Sequence, residues 1–221
     1  MTDHIRDILR DLERVRENML ALSDDIWLSI DHNDQEALKA GVEFKLLYNE
    51  KMTSFDRLST EISELVQHFT QIQIQEIPNE KTDKPGNDRI IKELNKEEPH
   101  GLKEDFTYKR PHGFILCGHG VKGIATWRQL FEHACGILLK QDPKRFLALP
   151  GNKTFKTNRG NSNFATQPDQ LRVGTKLADA VYAEVNLSAN GLCKVIRDML
   201  KVYGIPETEM IVFLRQDRDA S

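Results

Sequence analysis

Leu187–Pro206, LSANGLCKVIRDMLKVYGIP, holds the start, the face and the stop of one helix. Ser188 is a preferred N-cap residue, because its hydroxyl accepts from an orphan amide of the first turn. Leu187 before the cap and Leu192 after it are spaced as a hydrophobic staple. Leu192, Val195, Ile196, Met199 and Leu200 then recur at the helical period and form one apolar stripe. Gly204 supplies the left-handed C-terminal residue and Pro206 blocks continuation. Working outward, VYAEV before this helix and MIVFL after it alternate as strands do, so the C-terminal half contains a strand–helix–strand run.

The chain has 221 residues, enough for one or two domains, and its net charge of −3 conceals an asymmetry. Residues 1–105 carry 14 Lys and Arg against 24 Asp and Glu, and residues 106–221 carry 17 against 10. An acidic half joined to a basic half predicts two modules with different partners, and the basic one suits a polyanion. Three cysteines (Cys117, Cys135 and Cys193) predict free thiols in a reducing compartment rather than a disulfide framework. The charged N-terminus has no apolar core of a secretory signal, and no apolar run approaches the ~18–20 residues of a membrane span. These features point to a cytoplasmic protein without a membrane partner.

At the N-terminus Ile5, Ile8, Leu12, Val15, Met19, Leu22 and Ile26 are spaced alternately by three and four, the pattern of a coiled-coil seam. Asp31–Asp34 interrupts it and can cap a second helix over 35–75. There the register runs through Ala37, Gly41, Phe44, Tyr48, Lys51, Phe55, Leu58, Ile62, Leu65, Phe69 and Ile72. The two helices would measure about 43 Å and about 60 Å, and their short connection predicts an antiparallel hairpin. Val42, Leu46, Leu47 and Met52 lie off the seam, more apolar surface than a hairpin can bury. Self-association into a homo-oligomer, a dimeric bundle, is therefore expected. The alternative is a monomeric hairpin folded onto the C-terminal domain.

Residues 76–110 are rich in charge and contain Pro78, Pro85 and Pro99, the composition of a solvated tether with at most a short helix over 88–96. Phe114–Leu116 and Val121–Ala125 read as a strand pair around a glycine-rich turn, which lacks the spacing of a phosphate loop. Thr126 with Gln129 forms a capping box, followed by a helix whose buried face is Trp127, Leu130, Phe131, Ala134 and Leu138. The resulting expectation is an α+β chain. A helical hairpin over 1–75 and a linker over 76–110 precede a basic α+β domain over 111–221 that could be of winged-helix kind.

The most suggestive stretch is 143–176, PKRFLALPGNKTFKTNRGNSNFATQPDQLRVGTK, with seven basic residues against the single acid Asp169. Lys144, Arg145, Lys153, Lys156, Arg159, Arg172 and Lys176 can neutralise phosphates and release counterions. Asn158 and Asn163 can read bases or sugars. Phe155 and Phe164 can stack on unpaired bases. The partner this chemistry fits best is nucleic acid, DNA first; a plain solvated loop or an acidic protein partner are the alternatives. The coiled coil gives a second class of function, an adaptor that recruits a protein.

Other chemistry finds thinner support. Cys117, His119, His133 and Cys135 are metal-ligating types at the wrong spacing, so no metal or other cofactor is expected. No nucleophile motif is present, and no catalytic residue is assigned. A metal-dependent nuclease on Asp179, Glu184 and Lys194 is conceivable, but the supporting motif is missing.

The phrases TWRQLFEHACGILL with DPKRF, and YAEVNLSANGLCKVIRDMLKVYGI, resemble a small uncharacterised module of bacterial proteins associated with restriction and phage defence. The resemblance spans residues 112–214. It implies a bacterial or phage source and association with DNA, and it carries no catalytic residues over.

Overall fold

The computed structural model describes residues 2–71, 84–156 and 162–215. The chain is α+β and divides into two compact units, one built on two long helices and one on the remaining elements.

In the first unit α1 (Thr2–Leu28) and α2 (Gln35–Thr70) pair as an antiparallel hairpin. Asp34 begins α2 by accepting from the amides of Glu36 and Ala37, and Gln71 ends it in the left-handed region. Arg16 donates to Asp56, with both side chains buried, and Lys45 reaches Ser23 and Asp24 at 2.8 Å. These pairs set the register, so the start of α1 falls level with the end of α2.

The two seams expected from the heptad spacing differ from the buried ones. On α1 the buried residues are Leu9, Arg16, Leu20, Ala21 and Ser23, while Ile8, Val15 and Leu22 stay exposed. On α2 Gly41, Met52, Asp56, Ser59 and Ser63 are buried, while Leu58, Ile62, Leu65 and Phe69 are exposed. On α1 the offset is constant: Ile5, Leu12, Met19 and Ile26 are half-buried and Ile8, Val15 and Leu22 exposed from the first heptad to the last, so the contact face is rotated off the expected seam. On α2 the register passes from the buried Gly41 to the exposed Leu58, Ile62, Leu65 and Phe69, the direction expected of a seven-residue repeat that drifts by ~20° per heptad on a straight helix. Ile72, the last residue of that register, lies outside the described residues.

The second unit holds two three-stranded antiparallel sheets. Its elements are α3 (Lys84–Leu94), β1 (Pro111–Leu116), β2 (His119–Lys122), α4 (Trp127–Gln141), α5 (Pro143–Leu147), β3 (Phe164–Ala165), β4 (Gly174–Ala178), β5 (Val181–Glu184), α6 (Ala189–Tyr203) and β6 (Met210–Leu214). One sheet has the order β2-β1-β6 and the other β3-β5-β4. β1 and β2 meet through Cys117 (φ 48°) and Gly118 (φ 74°), the two left-handed residues of a tight hairpin turn. β5 and β6, the strands on either side of α6, sit in different sheets, so α6 bridges the two. Two sheets stand where a winged helix would have a single wing.

α6 starts at Ala189, which puts Ser188 at the cap position, and its stripe of Leu192, Val195, Ile196, Met199 and Leu200 is buried. At its end the Ile205 amide donates to the Leu200 carbonyl around Gly204 (φ 70°), a Schellman closure. α4 carries its capping box: the Gln129 amide donates to Thr126 Oγ1, and Gln129 Oε1 accepts from the Ala125 amide.

The segment expected to be a tether is, from Lys84 onward, part of this unit. α3 packs on β2, and Leu94, Leu102 and Phe106 are buried. His100 exchanges both backbone hydrogen bonds with Val212, and the Trp127 indole donates to the Lys109 carbonyl. Asp105 accepts from the amide and hydroxyl of Thr107 and from Asn190, whose own oxygen accepts from the Phe106 amide. A few apolar residues and a run of local hydrogen bonds thus order a charged sequence; its composition conceals them.

Candidate nucleic-acid interface

The basic stretch folds as a chain of short turns. Asp142 starts α5 by accepting from the Arg145 amide, and Asn152 starts a single helical turn over Lys153–Phe155 by accepting from the Thr154 amide. An isolated bridge then pairs Lys156 with Ser162. Asn158 and Arg159, between them in the sequence, lie outside the described residues.

The cations fall into two classes. Arg145 is held in place: Nη1 donates to the Tyr203 carbonyl at 2.8 Å, Nε lies 3.3 Å from Asp142, and the guanidinium sits 5.4 Å from the centre of the Tyr203 ring. Burial pushes the Tyr203 hydroxyl above its ordinary range, so the ring stays neutral beneath that cation. Arg172 pairs with Glu184 at 3.5 Å, and Lys176 with Asp179 at 3.4 Å. By contrast Lys144, Lys153 and Lys156 are exposed and have no acidic partner among the described residues. The structure therefore separates the predicted set into Lys144, Lys153 and Lys156, which have no acidic neighbour among the described residues, and Arg145, Arg172 and Lys176, each of which lies within 3.5 Å of an acidic side chain.

One further expectation is corrected. Phe155 and Phe164 are not stacking platforms. Each is 1% exposed, and they pack edge to face at 4.8 Å between centroids, so both belong to the core. Asn163 serves through its backbone, donating to the Phe155 carbonyl and accepting from the Glu184 amide, both at 2.9 Å. It fastens the loop to β5, and its side chain is half-buried.

Glu184 has a structural task as well. Its carboxylate is 5% exposed and accepts from the amides of Arg172 (2.8 Å) and Val173 (3.3 Å). Asp179 is wholly exposed on the turn after β4. Glu184 therefore holds the 171–173 segment against β5 and does not share a cleft with Asp179.

The residues considered for a metal also separate. Cys135 is buried with its sulfur 4.0 Å from that of Met199, and burial pushes its thiol well above the ordinary range. Cys117, His119 and His133 line a groove of about 770 Å³ between α3, the β1–β2 turn and α4. No group of three His, Cys, Asp or Glu able to hold a metal occurs among the described residues. His119 Nδ1 lies 3.1 Å from the Cys117 carbonyl, which can only accept, so that nitrogen carries the proton.

Sequence reasoning missed the rest of this groove, whose floor includes Ile90, Val121 and Ile137 and whose rim carries Lys84 and Lys140. One signal was available. Gly136 sits inside α4, where glycine costs about 1 kcal/mol relative to alanine, yet a Cβ added there would meet nothing within 4 Å. Packing does not require that glycine, and it borders the groove.

No helix among the described residues is long and apolar enough to cross a membrane. Compared with protein-family models, with curated proteins and with solved structures, the chain matches none.

Proposed function

We propose that the second unit binds nucleic acid, DNA in the first instance, with Lys144, Lys153 and Lys156 as its phosphate contacts. The observation that carries this reading is the contrast between these three lysines and their paired neighbours. Cations left exposed without counter-charges, on consecutive turns, are free to replace the condensed counterions of a polyanion. Asn158 and Arg159 lie between Lys156 and Ser162 in the sequence, outside the described residues; Asn158 is proposed to reach a base or sugar and Arg159 a further phosphate. Arg172 and Lys176 are left out of the phosphate set, and Arg145 acts as a strut that orients α5.

The test is fluorescence anisotropy of the full chain with labelled duplex and single-stranded DNA and RNA, beside a Lys144→Ala/Lys153→Ala/Lys156→Ala variant. Salt-sensitive binding that the variant loses supports the reading. Absence of binding at low salt refutes it. A second reading, an adaptor that recruits a different protein, is favoured by the exposed apolar residues of the hairpin. It predicts capture that is insensitive to salt and that survives loss of the three lysines.

A further inference from the structure

The hairpin distributes its side chains in an unusual way. Its buried positions include an ion pair, Arg16–Asp56, and the small polar residues Ser23, Ser59 and Ser63. Large aliphatic and aromatic groups are left outside: Ile8 is 66% exposed, Leu65 69% and Phe69 87%. A monomer selected for its own hairpin would place Leu58 and Ile62 inward and Ser59 and Ser63 outward.

The exposed groups form one face. On both helices the exposed apolar residues, Leu28 and Leu46 apart, immediately precede a buried or half-buried one: Ile8 before Leu9, Val15 before Arg16, Leu22 before Ser23, Leu47 before Tyr48, Leu58 before Ser59, Ile62 before Ser63. One residue is a rotation of about 100° about the helix axis. In an antiparallel pair both the chain direction and the facing direction reverse, so the same rotation carries both stripes to the same side of the hairpin. The register brings Val15 level with Leu58 and Ile8 level with Leu65, as the Arg16–Asp56 pair requires. Lys51, exposed, interrupts the stripe on α2 between Leu47 and Leu58.

We infer that this face is the interface with a second copy of the chain, two hairpins closing into an antiparallel four-helix bundle. Size supports that occupant. Two helices about 40 Å long and each ~10 Å wide present roughly 800 Å², the area each partner contributes to a standard stable interface. The pattern supports it too: Leu58, Ile62, Leu65 and Phe69 repeat at steps of four, three and four, the spacing that interlocks with a like helix. Exposed apolar patches of this extent are rare on monomers. The interface differs from the seam between α1 and α2 and uses different residues, and it does not depend on nucleic-acid binding.

Sedimentation equilibrium of the full chain without nucleic acid, at ~50 μM, a concentration that covers μM affinities for such areas, tests this. Twice the chain mass is expected for the native sequence, and the single-chain mass for Leu58→Lys/Leu65→Lys, with unchanged helical circular dichroism. Phe69→Asp, at a position too exposed to matter to the fold of one copy, is the second variant and should weaken the dimer at least tenfold. A native chain that sediments as a monomer overturns the inference, whether its stripe is left bare or covered by the second unit. A Leu58→Lys/Leu65→Lys chain that remains a dimer overturns it equally.

Discussion

Three lysines without an acidic partner among the described residues make a quantitative demand on salt dependence. For duplex DNA the logarithm of affinity falls against the logarithm of salt with a slope of about −0.9 per phosphate neutralised. If Lys144, Lys153 and Lys156 each meet one phosphate, removing all three should flatten the slope by about 2.7. Between 50 and 200 mM salt, that difference means the native chain loses roughly 40-fold more affinity than the triple variant does. Single variants should each change the slope by about 0.9. Lys176→Ala is the internal control: its ammonium already lies 3.4 Å from Asp179, so its slope should stay close to that of the native chain. Anisotropy titrations at four or more salt concentrations resolve these differences. An unchanged slope in the triple variant, or a Lys176→Ala effect as large as that of Lys153→Ala, refutes the division of the cations into free and engaged.

Other consequences can be checked on the chain alone. Asp56→Ala removes the carboxylate against which Arg16 is buried and should destabilise the hairpin by about 3–5 kcal/mol, whereas Arg16→Leu/Asp56→Leu should recover most of that loss; denaturant titration followed by circular dichroism compares them. Hydrogen bonds from Thr107 and Asn190 hold the Asp105 carboxyl down at about 2, against an ordinary 3.8. A depressed folded-state value stabilises above the unfolded value and is lost as pH falls through the folded one. Asp105→Asn should therefore cost stability at pH 6 and nothing at pH 1.5, as read from thermal melts. Burial pushes Cys193 up to about 12 and Cys135 well above its usual range, so a thiol reagent at pH 8 should label Cys117 first and the other two only on unfolding, as mass spectrometry of the labelled peptides would show. Gly113→Ala places a Cβ 2.6 Å from the Val121 carbonyl oxygen and 2.8 Å from Leu94, a clash expected to cost about 1–3 kcal/mol of unfolding free energy in a denaturant titration.

Most of the second unit was legible because its signals are local. The α6 stripe with Gly204 behind it, the Thr126–Gln129 box and the strand pairs all rest on residues within a few positions of one another. What escaped depends on distant partners. Composition marks 84–110 as a tether, and only the sheet onto which Leu94 and His100 fold reveals it as packed. Counting cations over 143–176 showed a basic stretch, but Glu184 and Asp142, which decide that Arg172 and Arg145 are engaged, are apparent only in the fold. Phe155 and Phe164 look like stacking groups among asparagines until their mutual packing is seen. The hairpin itself was legible, but its seam was not, since spacing gives the period of a stripe and not which flank of it meets the neighbour, a choice fixed on α1 by the partner of Arg16, the distant Asp56.

The pairing of β1 with β6 has a consequence for how the chain is made. Pro111 faces Leu214 and Leu116 faces Met210, so the central strand of the first sheet waits for a partner translated about 100 residues later, the kind of long-range closure that slows folding. At ~5–20 residues per second the wait is roughly 5–20 s. Both helices of the hairpin, by contrast, lie wholly before β1 and are synthesised first. A nascent chain thus carries both helices of the hairpin while the first sheet still lacks its β6 edge.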